Sequence, residues 1–170
     1  MLNFLFRRLT AERPGAVALF DALTAEARKP HWYVEGQVPD TLDGRFAMLA
    51  TLTALSLVRL EQLGEAGNAA SVALTERFIT VMESEHRELG MGDPGLGKKV
   101  RKLVASLARR VELWRGIVSG EGDWVEATRQ SLYKGTAAAE ALRHSSPALK
   151  ALWTRLEQLQ LDDLLQGRMN

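Results

Sequence analysis

Three short stretches of this chain carry residue types at spacings that could do chemistry. Gly92-Asp93-Pro94-Gly95-Leu96-Gly97-Lys98-Lys99 nearly spells a phosphate-cradling loop. In such a loop backbone amides hold phosphate oxygens, a lysine reaches the outer phosphates and a final Ser or Thr ligates magnesium. The final residue here is Lys99, which cannot ligate a cation, and the stretch follows a helical pattern where a buried strand is required. Glu83-x-x-His86 has the i, i+3 spacing of di-iron helical bundles, which need a second such pair and two further glutamates. His31 and His144 have Arg28 and Ala141 at that offset, so His86 reads as an interfacial or capping side chain. Ser131-x-x-Lys134 has the spacing of a penicillin-interacting serine, but Lys134-Gly135-Thr136 runs in the wrong order for its companion element. No nucleophile–base pair, metal set or nucleotide loop is complete. The expectation is a protein that is not an enzyme and carries no cofactor.

The glycines and cations around the first stretch say more. Gly90, Gly92, Gly95 and Gly97 fall within eight residues, between two helical patterns. So many glycines cost conformational entropy, which predicts a turn needing positive φ or close backbone approach. Lys98, Lys99, Arg101, Lys102, Arg109, Arg110 and Arg115 follow against the single acid Glu112, in a chain of net charge +1. The overall field does not predict a DNA binder, but a basic helix face on a mildly acidic body predicts one anionic partner surface. Ribosomal RNA, anionic lipid and an acidic protein all qualify.

The elements that must position these residues are helical throughout. At 170 residues the chain reads as a single domain over 1–170, with enough length to bury a core. Zero cysteine excludes disulfides, thiol catalysis and thiolate metal sites. No secretory signal is legible, because Arg7 and Arg8 cut the apolar start short; a cytoplasmic location is expected. Leu2, Leu5, Phe6 and Leu9 share one face of a first helix, so residues 1–13 could form an amphipathic membrane anchor or dock on the body. A second helix carries Val17, Phe20, Leu23 and Ala27, and a loop with Pro30, Gly36 and Pro39 follows. Trp32, beside Tyr33 in that loop, is the best candidate for an exposed aromatic, although folding back over the core is the commoner outcome.

Asp40 or Thr41 caps a long third helix, expected to run to about Leu63. Its uncharged stretch from Phe46 to Val58 is shorter than the ~20 residues of a membrane span, so it reads as a buried central helix. A fourth helix is expected after Gly67-Asn68. A fifth carries Val100, Leu103, Val104, Leu107, Val111, Trp114 and Val118 on one face and stops at Gly120 and Gly122. Asp123 caps a sixth helix. After Gly135 an alanine-rich piece leads to a last helix beginning at Ser146-Pro147. The fold class is all-α, a single compact domain of seven or eight helices around the long apolar one.

Two blocks resemble the ubiquinol–cytochrome c chaperone family, in its short α-proteobacterial form. The first is Val38-Pro39-Asp40-Thr41-Leu42-Asp43-Gly44-Arg45-Phe46, with the apolar helix that follows it to Arg59-Leu60. The second is Arg87-Glu88-Leu89-Gly90-Met91-Gly92-Asp93, then Gly97-Lys98-Lys99-Val100-Arg101-Lys102. The resemblance covers roughly residues 28 to 134. It implies a non-enzymatic assembly factor of respiratory complex III that binds newly made cytochrome b or other complex III subunits. It also implies a small partner protein and action near the ribosome; the basic face itself could hold the protein at RNA or at anionic lipid, peripheral on the inner membrane. Within that implication Asp40, Thr41, Gly44 and Arg45 fix the start of the long helix, and Arg45 pairs across the fold with an acid such as Asp93. Arg87, Gly90, Gly92 and Asp93 shape the turn, while Lys98, Lys99, Arg101 and Lys102 face the partner. Two other readings stand beside this one: a small-molecule binder with a pocket lined by Phe46, Phe78 and Trp114, and an RNA- or ribosome-binding module built on the basic helix.

Overall fold

The computed structural model describes residues 14–169, and over these the chain is all-α, with seven helices and no strand. They are α1 (Pro14–Ala27), α2 (Leu42–Glu61), α3 (Gly64–Glu88), α4 (Asp93–Val118), α5 (Trp124–Tyr133), α6 (Ala139–Gln158) and α7 (Leu161–Leu165). A short 3-10 turn, Pro30–Trp32, lies between α1 and α2. The expected first helix and anchor over 1–13 lie outside the described residues.

Helix α2 is the axis of the fold. From Ala47 to Leu60 every residue except Leu49 and Arg59 is buried, and the helix packs against α1, α3, α4, α5 and α6. Small and hydroxyl residues let those neighbours approach. Thr51 Oγ1 donates to the Ala47 carbonyl at 2.7 Å and meets Ser131 Oγ of α5 at 2.6 Å, so its polar atom is satisfied inside the core. Helix α4 supplies Leu103, Leu107, Trp114 and Ile117 to the same core, as its period requires.

Several boundaries differ from expectation. Helix α2 ends at Glu61, and α3 begins at Gly64 (φ +73°) rather than after Asn68. Gly67 is therefore inside a helix, where an added Cβ would stand 2.1 Å from the Leu60 carbonyl oxygen. Helix α4 begins at Asp93, ahead of Gly95 and Gly97, because Pro94 in its first turn has no N–H to leave unpaired. Gly95 and Gly97 are thus helical. Only Gly90, at φ +85°, needs glycine's backbone freedom, and a Cβ at Gly90, Gly92 or Gly95 would meet nothing within 4 Å. Of the two expected reasons for glycine at this turn, positive φ holds at Gly90 and close approach does not occur.

The expected break at Ser146-Pro147 is also absent: α6 runs through Pro147 from Ala139 to Gln158. Proline forfeits one helical bond, to the carbonyl of Arg143, and both residues are exposed, so water can reach that oxygen. Leu142 before the proline and Leu149, Leu152, Trp153 and Leu156 after it bury into one core, and that packing carries the helix across. The short α7 was not expected; Gln160 and Asp163 cap it reciprocally and Leu164 is buried.

Candidate functional site

The α1–α2 loop is tied down by its aromatic residues. Trp32 Nε1 donates to the Glu26 carbonyl at 3.1 Å and Tyr33 Oη to the Ala27 carbonyl at 2.6 Å, satisfying two orphan carbonyls at the end of α1. Trp32 is consequently buried: it folds back over the core, the commoner outcome for a loop aromatic, and is not an exposed one. His31 Nδ1 lies 2.9 Å from His144 Nε2, fastening the 3-10 turn to α6. Burial, and then the neighbouring His144, lower the pKa of His31 below the usual imidazole value. Tyr133 Oη donates to the Gly36 carbonyl, and Ser145 Oγ lies 2.6 Å from it.

The first turn of α2 is set by Thr41, whose side chain accepts from the Gly44 amide at 3.2 Å. Pro39 passes so close that a Cβ on Gly44 would stand 1.8 Å from its carbonyl oxygen. Arg45 Nε donates to Asp40 at 2.7 Å, so the partner of Arg45 is five residues away and not Asp93. That hydrogen bond holds the Asp40 carboxyl below its usual range. Lys134, the residue that caps the C-terminus of α5, reaches Asp43 through Nζ at 3.0 Å and, with Lys99 nearby, lowers the Asp43 pKa.

Between this turn, the end of α1 and the α3–α4 hairpin lies a groove of about 920 Å³. Phe46, Leu49, Met82 and Leu103 give it an apolar lining, with buried His86 anchored to the Met82 carbonyl at 2.8 Å. Val34, Leu42 and Leu89 also line it and are 67%, 57% and 63% exposed. Charged groups of both signs line it: Asp40, Asp43, Glu85 and Glu88 with Arg28, Arg45 and Lys99. A smaller pocket of about 320 Å³ lies on the other side of the same turn and shares Asp43.

The residues singled out from sequence are not all brought together. Asp40, Arg45 and Lys99 line the groove, whereas Thr41 and Gly44 line the smaller pocket. Arg87, Gly90, Gly92 and Asp93 sit on the exposed α3–α4 turn, and Lys98, Arg101 and Lys102 are exposed on α4 outside the groove. Two of the seven cations of the basic face are structural. Arg110 turns inward to the Ser131 carbonyl at 2.8 Å and lies over the Phe46 ring at 5.8 Å; burial lowers its pKa to about 10. Arg115 clamps Glu61 at the end of α2 through Nε and Nη2 at 3.0–3.1 Å.

Of the aromatics expected around a ligand pocket, Phe46 reaches the groove. Phe78 packs beside Phe46 at 6.0 Å and Trp114 beside Trp124 at 5.3 Å, both fully buried. Leu42 was not singled out from sequence, yet Leu42, Phe46 and Leu49 form an i, i+4, i+7 stripe on α2, a signal hidden by the all-round apolar character of that helix. Among the described residues no three His, Asp or Glu side chains cluster so as to hold a metal ion, and no helix is long and apolar enough to cross a membrane.

The family profile described as ubiquinol-cytochrome C chaperone matches residues 34–170. The chain belongs to the ubiquinol–cytochrome c chaperone family. A solved structure, described as the crystal structure of the Cbp3 homolog from Brucella abortus, superposes with a TM-score of 0.77 at 26% identity. The match covers 98% of this chain and 94% of that one. Among proteins of curated function none matches the sequence. The ubiquinol–cytochrome c chaperones are assembly factors for complex III and not enzymes, and this chain is one of them. Both sequence blocks fall at the groove: the first forms its α2 side, and the second forms the end of α3 and the start of α4.

Proposed function

We propose that this protein captures newly made cytochrome b by seating an apolar segment of it in the groove between α1, α2, α3 and α4. The observation that carries the reading is the mouth of the groove, where Val34, Leu42 and Leu89 are more than half exposed around an apolar lining. Exposed aliphatic side chains grouped about one concavity mark a surface that gains by covering, at about 25 cal/mol per Å². A membrane subunit before integration offers the complementary surface, apolar helices with polar ends. The charges of both signs that line the groove suit those ends.

In this reading Asp40, Thr41, Gly44 and Arg45 hold the first turn of α2, so that Leu42 and Phe46 keep their orientation. Arg87, Gly90, Gly92 and Asp93 shape the turn that presents Leu89. Lys99 meets the client from the groove wall, while Lys98, Arg101 and Lys102 serve a neighbouring anionic surface.

A photo-crosslinking residue at position 42, introduced in living cells, is expected to label cytochrome b. The same residue at Val72, exposed on α3 away from the groove, is expected not to. Equal labelling from both positions, or no cytochrome b adduct from position 42, would sink the groove assignment. A reduced-minus-oxidised spectrum of membranes from a deletion strain tests the role itself. Loss of the cytochrome b and c₁ bands, restored by the gene, is expected; an unchanged spectrum would remove complex III as the target.

A further inference from the structure

The tip of the α3–α4 hairpin carries more than client capture uses: of its two exposed apolar side chains, Leu89 lines the groove and Met91 does not. Leu89 is 63% and Met91 39% exposed at its apex, and the glycines between and after them make no side-chain-sized contact with the body. Below the apex stands a collar of exposed cations, Arg87 on α3 and Lys98, Arg101 and Lys102 on α4. Helical rise puts Lys98 about 8 Å and Lys102 about 14 Å along the axis from Asp93, within reach of one polar layer for long side chains. The acids Glu88 and Asp93 leave residues 87–102 net positive, with five cations against two acids.

We propose that this tip docks on an anionic lipid bilayer, with Leu89 and Met91 entering the headgroup region and the collar pairing with lipid phosphates. Apolar side chains ahead of a cationic ring match the layered chemistry of that interface. RNA fits less well. Residues 87–102 contain no aromatic side chain on which a base could stack, and a phosphate backbone would leave Leu89 and Met91 in water. The four cations from Lys98 to Lys102 also spread over about 160° of helix arc, which suits end-on contact with a plane better than one flat patch. Leu89 belongs to both the tip and the groove mouth, so docking sets the groove at the bilayer surface. Only that last consequence rests on the client reading; lipid binding stands by itself.

The test is co-sedimentation of the full chain with vesicles. Binding is expected to equimolar phosphatidylglycerol and phosphatidylcholine, with none to phosphatidylcholine alone and release by high salt. The double variants Leu89→Ser with Met91→Ser, and Lys98→Glu with Lys102→Glu, should each weaken partitioning about tenfold or more. All four side chains are exposed, so melting curves should match the parent chain, and these curves keep a folding defect from imitating the effect. The proposal is overturned if the parent chain stays in the supernatant. It is overturned equally if both double variants sediment as it does, since residues 1–13 or another surface would then hold the membrane. Tighter binding to ribosomal RNA than to mixed vesicles, insensitive to the Leu89 and Met91 changes, overturns it as well. Crosslinking from position 42 reads the groove independently, so failure of one reading is distinguishable from failure of the other.

Discussion

At the scale of single residues, two glycines of the family blocks have opposite meanings. Gly44 is required by space: its backbone lies against Pro39, and the added carbon of alanine would overlap a carbonyl oxygen that the cap holds in place. Gly44→Ala is expected to lower stability by about 3 kcal/mol, as overpacking without room to relax does. Gly95 is helical, exposed and touches nothing. Gly95→Ala is expected to raise stability by about 0.5–1 kcal/mol, since it removes only glycine's entropic cost in a helix. Urea midpoints of the two variants check the pair, and a neutral Gly44→Ala would show that the start of α2 can move. The cations divide in the same way. Arg110 and Arg115 are struts between helices, whereas Lys98, Arg101 and Lys102 are exposed on α4.

At the scale of elements, α6 departs furthest from local rules. It keeps Pro147 at its middle because the apolar face on both sides belongs to one core. Pro147→Ala restores a donor toward the Arg143 carbonyl and is expected to stabilise the fold by about 1 kcal/mol, a rise in melting temperature of about 2–4 °C. A fall would mean that the proline sets a bend that α5 and α2 require. Helix α2 illustrates the converse: its sequence marks it as apolar on most of its circumference, and five neighbours cover all but the first part of the Leu42, Phe46, Leu49 stripe. That uncovered start is where the groove opens.

At the scale of the whole molecule, the α1–α2 loop is joined to the distant α6 by His31 and His144, and the joint is sensitive to protons. Burial and His144 depress the His31 pKa below its unfolded value, so in the window between the two the unfolded chain binds more protons than the native one. Stability present above the unfolded pKa of about 6.5 is therefore lost as pH falls toward the native value. The depressed carboxylates Asp40, Asp43, Glu140 and Asp163 withdraw their contributions only below about pH 4.5, which leaves mild acid to His31. The melting temperature is expected to drop between about pH 7.5 and 5.5, with a shallower drop in His31→Asn. An equal slope in the variant would detach the effect from this joint.

What the sequence determined by itself was local. Helical periodicity specified an all-α chain and the apolar face of α4; side-chain oxygens at Asp40 or Thr41, and at Asp123, bracketed where α2 and α5 begin. These follow from hydrogen bonds and faces within a few residues of one another. Tertiary structure alone decided which stripe of α2 stays uncovered, that Arg45 turns to Asp40 and not to Asp93, that Trp32 closes the end of α1, and that two cations of a basic face point inward. Each of these depends on what the rest of the chain brings alongside. Burial and pairing are properties of neighbours in space, and periodicity along one helix names the faces without naming what covers them.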